Sequence, residues 1–274
     1  MFNFFKSNNI QQKTDKIVNQ ARRFNTLLWA DINNTDKNEL KKIYKDYEAI
    51  CRKFPRYRKG DGVFYIDVHK YRLILTYSWL KEISVKSKEL DCFDMDGGDT
   101  VASQLLKRRF KNIKWLRMRG ELRKKWPLKD KSVDLIVSTE VLEHISDFPK
   151  GFNDKFEGSG LRFVLKESNR ILKPGGTFFI STPNANSALV IAKTALAIEP
   201  DNYRPHIREY TSKELIDVLR LAGFKVEKFK TYHCCSWGDK KDYTPVFEFL
   251  LNAHFPVEDR GDTIFIVAKK VSSV

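Results

Sequence analysis

The chain has 274 residues, 42% of them hydrophobic and 13% aromatic, which excludes a disordered protein and allows one large domain or a domain with a substantial appendage. Its formal charge of +15 is spread over the whole length without a basic block, so a solvated lysine-rich surface is favoured over a nucleic-acid-binding tail. Four cysteines, Cys51, Cys92, Cys234 and Cys235, form no C-x-x-C pair; no metal site or disulfide framework is expected, and a reducing, cytoplasmic setting is the simpler reading.

The N-terminus, Met1 to Lys6, has aromatics but no sustained apolar region, unlike a secretory signal. Ile17, Val18, Ala21, Phe24, Leu27 and Leu28 recur at helical spacing, as do Leu40, Ile43, Tyr44, Tyr47 and Ile50, with a break at Asn33–Asp36 between the two helices. Loop residues from Phe54 to Gly62 precede a third helix around the apolar run Tyr71 to Leu80. Residues 1–89 therefore read as an N-terminal helical region or cap. From residue 90 the pattern changes to strand–helix alternation, which predicts a parallel sheet covered by helices over residues 90–274.

Within that second region, Cys92–Met95 is a short strand, Asp96–Asp99 a turn, and Val101, Leu105, Leu106 and Phe110 one side of a helix. Val133 to Val137 is a β-branched strand that runs into Ser138–Thr139 and then a helix opening with Glu140, Glu143 and His144. Leu161, Val164, Leu165, Ile171 and Leu172 mark a helix stopped by Lys173–Pro174–Gly175–Gly176, and Thr177 to Ser181 is the next strand. The apolar stretch Ala188 to Ile198 is short, contains Lys193, and cannot span a bilayer. Thr211 and Glu214 form a capping box for a helix closed by Gly223. Val226 to Tyr232 and Thr263 to Lys269 are the last two strands, expected as an antiparallel hairpin.

Ligands of open α/β sheets bind at the carboxyl ends of strands, so the titratable cluster after Val137 is a site candidate. The segment Ser132–Ile145 resembles the fourth strand and following helix of class I S-adenosylmethionine-dependent methyltransferases of the type 11-like kind. Asn169–Gly176, Ser181–Asn184 and Leu221–Phe224 resemble further segments of that family, in the family's order. The resemblance implies a Rossmann-like α/β sheet with flanking helices and a terminal antiparallel hairpin, preceded here by the helical region. It also implies S-adenosyl-L-methionine as cofactor. Gly120–Arg123, Trp126–Leu128 and His206–Tyr210 resemble members acting on small molecules or saccharides, in which the stretch between the glycine loop and the fourth strand is short.

The family's cofactor loop reads acidic–x–Gly–x–Gly, and the matching residues are Asp94–Met95–Asp96–Gly97–Gly98, with Asp96 in place of the first glycine. Aspartate tolerates the left-handed conformation better than most residues, and Gly97 adds permissiveness beside it. The resemblance places Asp94, Asp96, Gly97, Gly98, Glu121, Leu122 and Thr139 on the cofactor, with Glu121 as acidic partner of the ribose or adenine side; a solvent-facing glutamate is the other reading of Glu121. A hydroxyl acceptor has a high pKa, so a general base helps, and His144, whose side chain ordinarily titrates near ~6.5, is the candidate. Glu143 orients it or acts in its place, unless both serve only to bond the adjoining backbone. His206, Arg208 and Tyr210 are expected to meet the acceptor, Arg208 either pairing with an anionic group or anchoring its loop. The function expected is methylation of a hydroxyl on a small molecule or saccharide. The alternatives are an RNA methyltransferase, suggested by the charge and by Arg52–Arg58 but not favoured, and a non-catalytic partner protein that has lost cofactor binding. The Asn/Asp–Pro–Pro–aromatic signature of base-methylating enzymes is absent, Ser138–Thr139–Glu140 standing in its place.

Overall fold

The computed structural model describes residues 2–33, 37–54, 62–84, 89–98, 100–118, 120–146, 160–200, 206–234 and 242–273. The inter-helical break at Asn34–Asp36, the basic loop Pro55–Arg58 and Cys235 lie outside the described residues. Three helices come first: α1 (Phe2–Asn33), α2 (Lys37–Lys53) and α3 (Gly62–Ser84). Then follow β1 (Leu90–Asp94), α4 (Val101–Arg109), β2 (Ile113–Arg117), β3 (Val133–Thr139), α5 (Gly160–Ile171), β4 (Leu172–Pro183), α6 (Ala188–Ala195), α7 (Ser212–Leu221), β5 (Phe224–Tyr232), α8 (Thr244–Asn252) and β6 (Thr263–Lys270).

The six strands form one sheet in the order β2-β1-β3-β4-β6-β5, with β1 to β4 parallel and β6 antiparallel to both its neighbours. The chain leaves β1 toward β2 and returns on the other side of β1 as β3, so the direction of winding reverses between β1 and β3. Ligands gather at such a reversal because the loops there diverge. The stretch between β2 and β3, Gly120 to Ser132, contains only turns among its described residues, in keeping with the short region expected.

Alternation along the strands divides the core into two layers. Cys92, Leu135, Val137, Phe179, Phe265 and Val267 pack with α2, α3 and α4 on one face, through Ile43, Leu73, Trp79, Leu80, Leu105 and Leu106. Phe93, Ile136, Phe178, Ile180, Ile266 and Ala268 pack on the other, against Leu161, Val164 and Leu165 of α5 and Leu215 and Leu219 of α7. A third cluster joins Ala21 of α1 to Phe247 and Leu250 of α8.

Four local expectations are corrected. Leu172 belongs to β4, where it pairs with Val133; the ladder then shifts register so that Leu135 meets Thr177, and Lys173–Gly176 becomes an irregularity within the strand rather than the end of a helix. The last two strands pair antiparallel as expected, but α8 stands between them, and neither α8 nor α6 was apparent because their apolar runs are short. After β3 the chain makes a single 3-10 turn, Leu142–His144, instead of opening an α-helix. The reason is that the Glu143 carbonyl, which a continuing helix would use, accepts from the amides of Ile207 (2.9 Å) and Arg208 (3.2 Å). Finally, the capping box is half formed: Thr211 accepts from the Glu214 amide at 3.2 Å, while the Glu214 carboxylate turns to Arg208.

Candidate active site

The carboxyl ends of β1, β3 and β4 bring three groups of polar residues together. At β1, buried Asp94 ends the strand and Met95–Gly98 turn toward α4. Gly97 (φ +75°) and Gly98 (φ +78°) both occupy the left-handed region, and Asp96 stays out of it, so the turn keeps its shape through the two glycines and not through the aspartate. Helix α4 grips the turn from behind: Gln104 Nε2 and Lys107 Nζ donate to the Gly98 carbonyl at 2.7 and 3.3 Å. Asp94 accepts from the Asp96 amide at 3.3 Å and lies 3.7 Å from Lys107 Nζ. Asp96 is bonded by the hydroxyl of Thr100, itself the N-cap of α4. Burial pushes the carboxyl of Asp94 upward, and that of Asp96 up to about 7, where the neighbouring Asp94 charge adds to burial and the Thr100 hydroxyl opposes it.

At the end of β3, Glu140 adopts a left-handed backbone (φ +56°), an unusual state for a side-chain-bearing residue that is held by its surroundings. Its amide donates to the Ser181 carbonyl at 2.9 Å, and its Oε1 accepts from the Ser181 hydroxyl at 2.9 Å. Its Oε2 pairs with Arg72 of α3 at 2.7 Å. Arg72 is itself buried, and its charge also favours the ionised forms of Asp96 and Glu143. Sequence reasoning placed Glu140 in the titratable cluster after β3 but missed Arg72; the available signal was a single arginine inside the apolar run Tyr71 to Leu80.

Glu143 is fully buried. Its Oε2 accepts from Thr182 Oγ1 at 2.8 Å, while its Oε1 has no hydrogen-bond partner and lies 4.0 Å from His144 Nε2 and 3.9 Å from His206 Nε2. Burial first, and Glu140 second, hold its carboxyl well above the usual carboxylate range. His144 is half-exposed, and its ring stands nearly perpendicular to that of His206 with 5.0 Å between centroids. The Nδ1 atom of His206 bonds Glu209 Oε1 at 2.6 Å. The structure thus joins Glu143, His144 and His206 across the end of the sheet, a grouping of metal-ligating types that cysteine spacing did not disclose.

Other expected site residues are placed as follows. Thr139 is the buried last residue of β3, level with Ser181 of β4. Glu121 pairs with Arg123, 2.9 Å away, and Arg123 reaches the Ser146 carbonyl at 3.4 Å. Leu122 packs against the second core layer, and its carbonyl accepts from the Trp126 indole at 2.9 Å. Tyr210 is buried and bridges Asn184 through its backbone. Arg208 pairs with Glu214 and lies 5.2 Å over the Tyr210 ring, which serves loop anchoring.

These residues fit S-adenosylmethionine, the cofactor the sequence resemblance implies. Asp94, Asp96 and Glu140 offer acceptor oxygens at the strand ends, with Arg72 and Lys107 beside them, which suits a ligand carrying both an ammonium and a carboxylate. The two left-handed glycines give the close backbone approach that such a ligand needs.

Comparison with known proteins agrees in kind. A family profile described as "Methyltransferase domain" matches residues 38–228. A protein of Mycolicibacterium smegmatis described as a probable S-adenosylmethionine-dependent methyltransferase is 33% identical over 105 residues, which make up 37% of this chain and 32% of that protein, so the match spans about a third of the relative's own length. Among solved structures, a SAM-dependent methyltransferase from Archaeoglobus fulgidus matches with a TM-score of 0.49 and 15% identity, covering 77% of this chain and 100% of that one. Another from Thermotoga maritima, described as a possible histamine N-methyltransferase, matches with a TM-score of 0.45 and 19% identity, covering 83% of this chain and 99% of that one. No described helix is long and apolar enough to cross a membrane.

Proposed function

Because the chain belongs to the methyltransferase-domain family and carries a domain of the S-adenosylmethionine-dependent kind, we propose that it methylates a hydroxyl of a small molecule or saccharide. The observation that carries this reading is the cluster of Glu143, His144 and His206 at the strand ends, one strand away from the Gly97–Gly98 turn. S-adenosylmethionine supplies the activated methyl group. The chain's own residues then align an acceptor oxygen with it and take up the hydroxyl proton, which an imidazole beside a carboxylate is suited to do. His144 is the exposed member of the cluster and receives that proton in this reading, with Glu143 orienting it.

Asp94, Asp96, Gly97, Gly98, Glu121, Leu122 and Thr139 make up the cofactor side; His206 faces the acceptor, while Arg208, paired with Glu214, and buried Tyr210 anchor the loop that carries it. Residues 1–89 act as a cap on residues 90–274, a role supported by Arg72 reaching from α3 to Glu140, although α2 and α3 share one core with the sheet. Buried free thiols at Cys51, Cys92 and Cys234 support a cytoplasmic setting.

The test is thermal. S-adenosylhomocysteine at millimolar concentration is expected to raise the melting temperature of the full chain, because a ligand of the folded state stabilises it by mass action. Gly98→Val is expected to remove that shift while the protein still folds, since φ +78° strains a β-branched residue and distorts the turn. No shift in the wild-type chain sinks the cofactor assignment. An undiminished shift in Gly98→Val means that the ligand sits elsewhere.

A further inference from the structure

We propose that Glu143, His144 and His206 bind a first-row divalent transition-metal ion through Glu143 Oε1 and the Nε2 atoms of the two histidines, with the remaining positions open to oxygens of the acceptor. The three ligand atoms lie within 4.8 Å of one another, Glu143 Oε1 being 4.0 and 3.9 Å from the two imidazole nitrogens. Metal–nitrogen and metal–oxygen bonds of about 2.0–2.2 Å separate neighbouring ligands by roughly 3–3.4 Å, so closure needs a contraction of about 0.5–1 Å on the two Glu143 sides and of up to about 1.4–1.8 Å between the two imidazoles. His144 stands half-exposed on a short 3-10 turn and can supply it by side-chain rotation.

A second observation points to a cation independently of the grouping. Glu143 Oε1 is a fully buried carboxylate oxygen without a hydrogen-bond partner, aimed between two rings. Such an oxygen is costly to bury unless a proton donor or a cation meets it. Neither ring is close enough to donate to it, at 3.9 and 4.0 Å.

The surroundings are those of a held ligand set. Glu209 accepts from His206 Nδ1 at 2.6 Å, which makes Nε2 the basic nitrogen and turns it toward Glu143. Thr182 occupies Glu143 Oε2 and leaves Oε1 for the ion. The amides of Ile207 and Arg208 bond the Glu143 carbonyl, which fixes the distance between the segments that carry the ligands. One carboxylate and two imidazoles with open positions suit Zn²⁺, Mn²⁺, Fe²⁺ or Co²⁺ better than Mg²⁺ or Ca²⁺, which prefer an all-oxygen shell.

The site stands on geometry alone; its role deepens the hydroxyl-methylation reading and rests on it. An acceptor hydroxyl bound to the ion loses its proton more readily, because the cation favours the alkoxide. The proton passes to water, the oxygen lone pair forms the O–C bond to the methyl group, and the C–S electron pair returns to sulfur. With the ion bound, His144 is a ligand and water takes the proton; with the site empty, His144 takes it.

The experiment uses the full chain stripped with a chelator and desalted. Co²⁺ is titrated with visible d–d absorption as readout, Zn²⁺ displaces it, and S-adenosylhomocysteine is titrated calorimetrically into the same samples. One Co²⁺ per chain is expected, with d–d bands of nitrogen and oxygen ligation. His206→Asn and His144→Asn are each expected to weaken binding by about 100-fold or more, and Glu209→Gln by about 10–100-fold through the orientation of His206. His144 is the half-exposed ligand, so its variant folds even where a change at buried Glu143 does not. Absence of Co²⁺ binding, or equal affinity in wild type and the two histidine variants, overturns the proposal. S-adenosylhomocysteine binding without metal binding leaves the proposed function standing and removes the metal. Metal binding without S-adenosylhomocysteine does the reverse.

Discussion

The ends of β1 and β3 lie side by side in the sheet, yet their carboxylates are held in opposite ways. Asp94 and Asp96 find their partners close by in sequence, in Thr100 and Lys107 of the following helix. Glu140 and Glu143 find theirs far away, in Arg72 of α3, Ser181 and Thr182 of β4, and beside His206. The first arrangement survives wherever a strand, a glycine turn and a helix follow one another. The second exists only when three distant parts of the chain are folded against one another. Local charge is thus settled by local structure at the glycine turn and by the tertiary fold at the end of β3.

The sharpest way to break the comparison is at the end of β3. His144→Ala is expected to lower turnover on the acceptor found by a labelled-cofactor screen by about 10²–10⁴-fold, with S-adenosylhomocysteine affinity nearly unchanged. Full turnover in the folded variant removes His144 from the chemistry. A histidine of purely structural value would instead lower stability and spare the activity of the folded fraction.

Arg72→Met tests the long-range partner. It leaves Glu140 buried without its cation and is expected to cost on the order of 3–5 kcal/mol in urea unfolding, where breaking one side of a buried pair belongs. A loss below about 1 kcal/mol would show that solvent replaces the guanidinium and that the pair behaves as a surface one.

Asp96 tests the local arrangement through pH. Its folded carboxyl is pushed up to about 7 from the ordinary 3.8, so the folded state keeps a proton that the unfolded chain has released. Stability from this group is therefore highest at low pH, falls as pH rises through that interval, and is flat above it, by at most about 4 kcal/mol. Subtracting the profile of Asp96→Asn from that of the wild type isolates the slope. A difference of the opposite sign would mean that Thr100 and Arg72 outweigh burial.

All strands but the short β2, and most helices, were legible because they rest on short-range periodicity: Val133–Val137 and the Thr211 cap are visible in a few residues. The glycine turn was legible for the same reason, although the left-handed backbone fell on Gly97 and Gly98 and left Asp96 out of it. Helices α6 and α8 were not, since eight and nine residues give little periodic signal, even though Ser187 caps α6 by accepting from the Val190 amide. The 3-10 turn at Leu142–His144 was read as a helix because nothing local announces that its carbonyl is taken by Ile207 and Arg208.

The sequence by itself determined the α/β class, the positions of β1, β3 and β4, the glycine turn, and the residue types available at the strand ends, while the short β2 was not read as a strand. The tertiary structure alone decided that Arg72 is a buried partner of Glu140, that Arg208 turns to Glu214, and that His206 meets Glu143 and His144. The physical reason is range. Backbone propensity and capping act within a few residues, whereas burial and charge pairing act between any segments the fold brings within a few ångströms. That Glu143 carries a buried oxygen without a hydrogen-bond partner therefore shows only once the chain has closed around it.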